Sequence, residues 1–204
     1  MTCRASLLLS LALAGPALAD TAVTCTKVES GRFAAAVARA ETLTIRATAA
    51  IGPNRTFTRW FGPHTPKSGE AVRQNLKAIA AALRSGQVQG ICRNAGEDLC
   101  DGDTFAFVDK EEPLTVNLCP NFFAMDTFKQ LSDVTVADGT GTRAGTLIHE
   151  ISHFTVVADT EDHCYSRRAC AAMALSAPGD ALTNADSYQY FVEDVTYFDE
   201  GKTD

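Results

Sequence analysis

Apolar residues return at Val72, Leu76, Ile79 and Leu83 within GEAVRQNLKAIAAALRSG, residues 69–86. Steps of four, three and four residues mark one face of an α-helix, with Ser68 expected as its N-cap and Gly86 as its stop. Gly31 to Ala50 is alanine-rich with charges spaced along it, which predicts a second helix, ended by Ile51-Gly52-Pro53-Asn54. The following RTFTRWFGPHTP reads as extended or looped, broken at Gly62, Pro63 and Pro66. After Cys92 the pattern changes. Thr104–Asp109 (TFAFVD) and Leu114–Cys119 (LTVNLC) are short β-prone runs joined by Lys110-Glu111-Glu112-Pro113, a hairpin pattern. Ala137–Gly145 is a glycine-rich turn, without the lysine of a phosphate-binding loop. It leads into an apolar helical stretch with Leu147, Ile148, Ile151, Phe154 and Val157, and a last helix is expected from near Asn184. No internal repeat or low-complexity segment interrupts this order.

The first nineteen residues stand apart. Arg4, an apolar run from Leu7 to Ala14 and Ala17-Leu18-Ala19 before Asp20 have the layout of a secretory leader with a small-residue cleavage site. The run is shorter than the roughly 20 apolar residues of a membrane span. Cleavage after Ala19 would leave residues 20–204, long enough for one domain with a substantial core. It would also remove Arg4 and take the net charge from −7 to −8. Such a surface repels phosphate backbones, so nucleic acid is not an expected partner. Six cysteines remain after Cys3 departs: Cys25, Cys92, Cys100, Cys119, Cys164 and Cys170. An even count behind an export signal predicts three disulfides, and spacing alone does not choose among the fifteen pairings. Cys164 and Cys170 are close enough in sequence to close a small loop.

The chemistry-bearing stretch is GTLIHEISHFTVVADTEDHCYS, Gly145–Ser166. His149-Glu150-Ile151-Ser152-His153 matches H-E-x-x-H, in which two imidazoles four apart share a helix face and can meet one zinc ion. Glu150 on the adjoining edge can then take a proton from water activated by the metal. A catalytic zinc takes three protein ligands and leaves a fourth position open. Four downstream residues are candidates for the third: Asp159, Asp162, His163 and Glu193. Asp159 has the spacing of the last ligand in H-E-x-x-H-x-x-G-x-x-H, but Val156 stands at its glycine.

HEISHFTVVADTEDHCYS resembles the aspzincins, the metalloendopeptidases that include deuterolysin and peptidyl-Lys metalloendopeptidases. Their mark is H-E-x-x-H followed by G-T-x-D-x-x-Y-G, here Asp159-Thr160-Glu161-Asp162-His163-Cys164-Tyr165-Ser166. Thr160, Asp162 and Tyr165 match, while Asp159 and Ser166 replace the two glycines. RWFG (Arg59–Gly62), TVNLCPNFF (Thr115–Phe123) and NADSYQYFVED (Asn184–Asp194) extend the resemblance over most of the chain. It implies His149, His153 and Asp162 as ligands of one Zn2+, Glu150 as general base, and Tyr165 as donor to the oxyanion. In lysine-specific members two acidic residues form a pocket for the lysine after the scissile bond. Those positions fall here on Asp186 and Gln189, one acid kept and one replaced by an amide.

The expected architecture is α+β and zincin-like: a small mixed sheet with an edge strand, packed on helices that include the H-E-x-x-H helix. The expected function is a secreted or periplasmic zinc endopeptidase, with a residual preference for Lys or other basic residues. Its expected partners are protein or peptide substrates, with no membrane after leader cleavage and a monomeric state. Two other readings remain at this point: an exported zinc-binding protein of the same fold without proteolysis, and a disulfide-stapled interaction module without metal.

Overall fold

A computed structural model describes residues 25–97, 99–125 and 141–197. The leader and residues 137–140 of the glycine-rich turn lie outside the described residues. Among the described residues, eight helices and three strands follow in the order α1 (Lys27–Ala49), α2 (Arg55–Phe61), α3 (Pro66–Arg84), β1 (Gln89–Cys92), β2 (Ala106–Phe107), β3 (Thr115–Leu118), α4 (Pro120–Ala124), α5 (Arg143–His153), α6 (Arg167–Ser176), α7 (Pro178–Ala181) and α8 (Ala185–Tyr197).

Side-chain caps explain where the helices begin. Thr26 accepts from Glu29 N, and the Glu29 carboxylate reaches back to Thr26 N, so α1 starts four residues before the expected Gly31. That reciprocal pair satisfies two otherwise orphaned donors of the first turn. Asn54 accepts from Phe57 N and starts α2 where the sequence suggests a loop. The correction has a physical cause: Phe57, Trp60 and Phe61 are all buried, and tertiary packing outweighs the weak helix propensity of Thr56 and Thr58. α3 is capped by Thr65, with Pro66 in its first turn; Ser68 sits three residues in, returning the bond to Thr65 N. Gly86, at φ +72°, follows this helix as expected.

The sheet has order β1-β3-β2, with β1 parallel and β2 antiparallel to β3. Ala106 pairs with Leu118 and Phe107 with Asn117, so the expected hairpin forms with a two-residue first strand. β1 was not foreseen. Its partner lies across a sequence gap (Gln89 opposite Thr115), and parallel pairing leaves no local turn signature.

The core lies around α5. Leu147, Ile148 and Ile151 are fully buried, and α5 packs against α1, α3 and α8 and touches β2 and β3. Burying three such aliphatic side chains contributes roughly 5–9 kcal/mol before entropy is subtracted. The helix ends at His153. Phe154 leaves helical geometry but stays buried, and Val157 lies beyond the helix. α8 approaches α5 closely because Gly145 has no side chain: a Cβ there would lie 2.1 Å from Glu193 Oε1. Three disulfides join Cys25–Cys92, Cys100–Cys119 and Cys164–Cys170.

Candidate functional site

α5 is capped by Thr142, whose hydroxyl accepts from Gly145 N. With the apolar residues turned inward, His149, Glu150 and His153 face a cavity of about 1220 Å³. One wall is β2 with its flanking residues Phe105 and Val108; Asp162, Tyr165, Asp186 and Gln189 also line the cavity. The ligand atoms of His149, Glu150 and His153 lie within 4.8 Å of one another.

Each imidazole is fixed through its Nδ1. His149 Nδ1–H donates to Asp186 Oδ1 at 2.9 Å, and His153 Nδ1–H donates to the Thr160 carbonyl at 2.9 Å. Both partners accept, so both Nδ1 atoms carry hydrogen, and each ring, when neutral, presents its lone pair at Nε2. Those two Nε2 atoms are 3.2 Å apart. Asp162 places Oδ1 3.3 Å from His149 Nε2 and Oδ2 3.4 Å from His153 Nε2. Two lone pairs and a carboxylate aimed at one another repel unless a proton or a cation lies among them. This donor set therefore fits a divalent metal, and the outer hydrogen bonds are those that orient ligating histidines.

The electrostatics show the same demand for positive charge among these groups. Burial opposes a charge on His149, yet the Asp186 hydrogen bond and the nearby Glu150 and Asp162 charges hold its pKa up at about 9. His153 is lowered, by burial and by its charged neighbour. Burial pushes the Glu150 carboxyl up to about 7, opposed by His149. Tyr165 donates its hydroxyl to Asp162 Oδ2 at 2.9 Å, and desolvation followed by that bond raises the phenol to about 12. It remains a proton donor.

Of the four candidates for a third ligand, only Asp162 faces both imidazoles. Asp159 is exposed and ion-paired with Lys110 at 3.2 Å. His163 Nε2 bonds the Thr183 hydroxyl at 3.0 Å. Glu193 accepts from Thr142 N and Oγ1, both at 2.9 Å, and pairs with Arg167 at 2.6 Å. Asp186 and Gln189 are both buried in the cavity lining. The Asp186 carboxylate is committed to His149 and, through Oδ2, to Ser166 N at 3.2 Å. Gln189 lies 3.5 Å from Glu193 Oε1.

Both replaced glycines keep a left-handed backbone: Asp159 has φ +48° and Ser166 φ +74° with ψ 149°. Supporting residues to which the sequence assigned no site role are Ser152, Thr160, Asn184 and Arg167. Ser152 Oγ bonds Thr160 Oγ1 at 2.6 Å, and Asn184 Oδ1 accepts from both His163 N and Cys164 N. Arg167 grips Glu193 and Asp194, while Trp60 Nε1–H donates to Asp194. The shared motif pointed to Thr160 by identity; the others pair across gaps that no local pattern reveals.

A helix presenting H-E-x-x-H beneath an edge strand, with a carboxylate from the next loop turned to its histidines, defines a zincin-type arrangement. The chain belongs to the aspzincin family: the model for lysine-specific metallo-endopeptidases matches residues 46–193. It is 31% identical over 178 residues to a peptidyl-Lys metalloendopeptidase of Pleurotus ostreatus, covering 85% of this chain and 96% of that protein. It is also 32% identical over 138 residues to the peptidyl-Lys metalloendopeptidase of Armillaria mellea, and 33% over 144 residues to an extracellular protease of Aeromonas hydrophila. Those alignments take in 67% and 70% of this chain but span only 34% and 37% of the relatives' lengths. The solved zinc peptidase of Grifola frondosa superposes with a TM-score of 0.72 at 28% identity, covering 84% of this chain and 98% of that one.

Proposed function

We propose that this protein is an exported zinc endopeptidase. The reading is carried by the convergence of His149 Nε2, His153 Nε2 and the Asp162 carboxylate, three acceptors with their outer atoms anchored. These three residues hold the zinc. When bound, it supplies Lewis-acid polarisation of a carbonyl and of water. Glu150 is the general base: burial keeps its carboxyl near neutrality, where it both takes a proton and returns it to the leaving amine. Tyr165 donates its hydroxyl to the carbonyl oxygen as negative charge develops there. Asp186 orients His149 and raises its basicity, and Thr160 does the same for His153 through its carbonyl.

A substrate chain lies along β2, which is the edge strand of the sheet among the described residues. Asp186 and Gln189 line the place of the residue after the scissile bond and give a preference for Lys or other basic side chains. It is weaker than two free carboxylates would give, because Asp186 is already hydrogen-bonded and Gln189 is neutral. Residues 1–19 act as a leader, and 20–204 form a single domain that works as a monomer. Three disulfides and the extracellular protease among the relatives support an extracytoplasmic destination. Among the described residues no helix is long and apolar enough to cross a membrane.

The test is to measure zinc content and cleavage of a defined protein for the wild type and Glu150→Gln, and to sequence the products. One zinc per chain is expected in both, with cleavage falling by about 10²–10⁴-fold in the variant. Equal zinc with no cleavage by the wild type would refute the peptidase. Products without enrichment of Lys or Arg after the cut would remove the preference alone.

A further inference from the structure

Tyr165 is 64% exposed, so no packing in the core sets its position. Its place depends on the backbone of the loop that carries it. Before Tyr165, His163 N and Cys164 N both donate to Asn184 Oδ1; after it, Ser166 N donates to Asp186 Oδ2. All these ties run to α8 or the residue just before it. After Tyr165 the chain enters α6 directly, with the Ser166 carbonyl accepting from Cys170 N at 3.0 Å; before Tyr165 the Cys164–Cys170 disulfide ties the loop to the same helix, where Cys170 is fully buried. Ser166, next to Tyr165 and capping α6, sits at φ +74°, ψ 149°, a region that only glycine enters without strain. A serine stays there only while its surroundings over-determine it.

We propose that the Cys164–Cys170 disulfide is a positioning device for Tyr165, one that governs turnover more than folding. The proposal rests on the reading of Tyr165 as the oxyanion donor. The disulfide spans only 6 residues, so it constrains the unfolded chain least of the three; Cys25–Cys92 spans 67 and Cys100–Cys119 spans 19. α6 also packs on α2, α7 and α8 through contacts that need no covalent link. What the bond adds is a second point of attachment on the side of Tyr165 opposite Ser166. Without it, Ser166 can relax to negative φ, and the phenol leaves the face of Asp162.

A double-mutant cycle on kcat tests this, with zinc content and thermal melting measured on the same samples. Tyr165→Phe alone is expected to lower kcat about 100-fold. Cys164→Ser with Cys170→Ser is expected to lower it to a similar degree while retaining zinc and a cooperative melt. Adding Tyr165→Phe to the serine pair then costs less than about 3-fold, because the hydroxyl is already out of place. If the serine pair does not fold, reduction of the native protein by a water-soluble phosphine, followed by alkylation mapped to Cys164 and Cys170, closes the same cycle. Additive losses overturn the proposal and leave the peptidase reading intact. Loss of zinc from the disulfide-free protein assigns its effect to Asp162, which also overturns it. A silent Tyr165→Phe in the wild type overturns the role of Tyr165 and this inference with it.

Discussion

The two halves of the site are held by different physics. His149, Glu150 and His153 stand on α5, a capped helix whose inward face is fully buried against three other helices. Asp162 and Tyr165 stand on a loop held by polar links: a backbone bridge from Glu161 to Thr183 and Ala185, Thr160 to Ser152, Asn184 to two backbone amides, Asp186 to Ser166, Lys110 to Asp159 and Glu161, and one short disulfide. The helix is placed by area, so a lost contact is shared among many neighbours. The loop is placed by a handful of directional bonds, and it carries backbone strain at Asp159 and Ser166. Precision in the first half follows from the core; in the second it comes from redundancy among polar links.

The largest break on the helical side is Gly145→Ala. The added methyl would meet Glu193 Oε1 at 2.1 Å and Gln189 Cγ at 3.0 Å, pushing α8 from α5. A loss of about 3 kcal/mol in unfolding free energy is expected, read by urea titration, with zinc affinity falling as Asp186 recedes from His149. An unchanged titration would show that the two helices slide freely. Next is Asp186→Asn, which acts on the link between the halves. It keeps the shape but loses the charge behind His149, and with one carbonyl oxygen in place of two it cannot accept from both His149 Nδ1 and Ser166 N. Zinc affinity should weaken about 10–100-fold, measured by competition with a chelator of known affinity. The smallest change, and of opposite sign, is Ser166→Gly. It removes the strained serine backbone at the cost of a long capping bond to Ala169 N (3.4 Å). The net is a gain of about 1 kcal/mol, seen as a higher Tm. A lower Tm would place the value of Ser166 in its cap.

The same contrast explains what could be read in advance. Val72, Leu76, Ile79 and Leu83 announced α3 because a helix that buries one face repeats in sequence. His149 and His153 were legible for the same reason. Asp162 was one of four candidates on residue pattern alone, and the motif resemblance singled it out; the geometry turns it to both imidazoles. The Asp186 contact to His149 crosses 37 positions and follows from how α8 crosses α5, which no local pattern encodes. β1 was hidden by its distant partner, and α2 by threonines and a closing Gly62-Pro63 that mimic a loop.

β2 is only two residues long, with its inner side already spent on Leu118 and Asn117. A guest chain aligned there gains on the order of two or three backbone hydrogen bonds, too few to prise a folded protein open. For the proposed hydrolase, the decisive property of a target is thus prior exposure: a segment already extended and free of its own fold is cut, and the same residues locked in a helix are passed over.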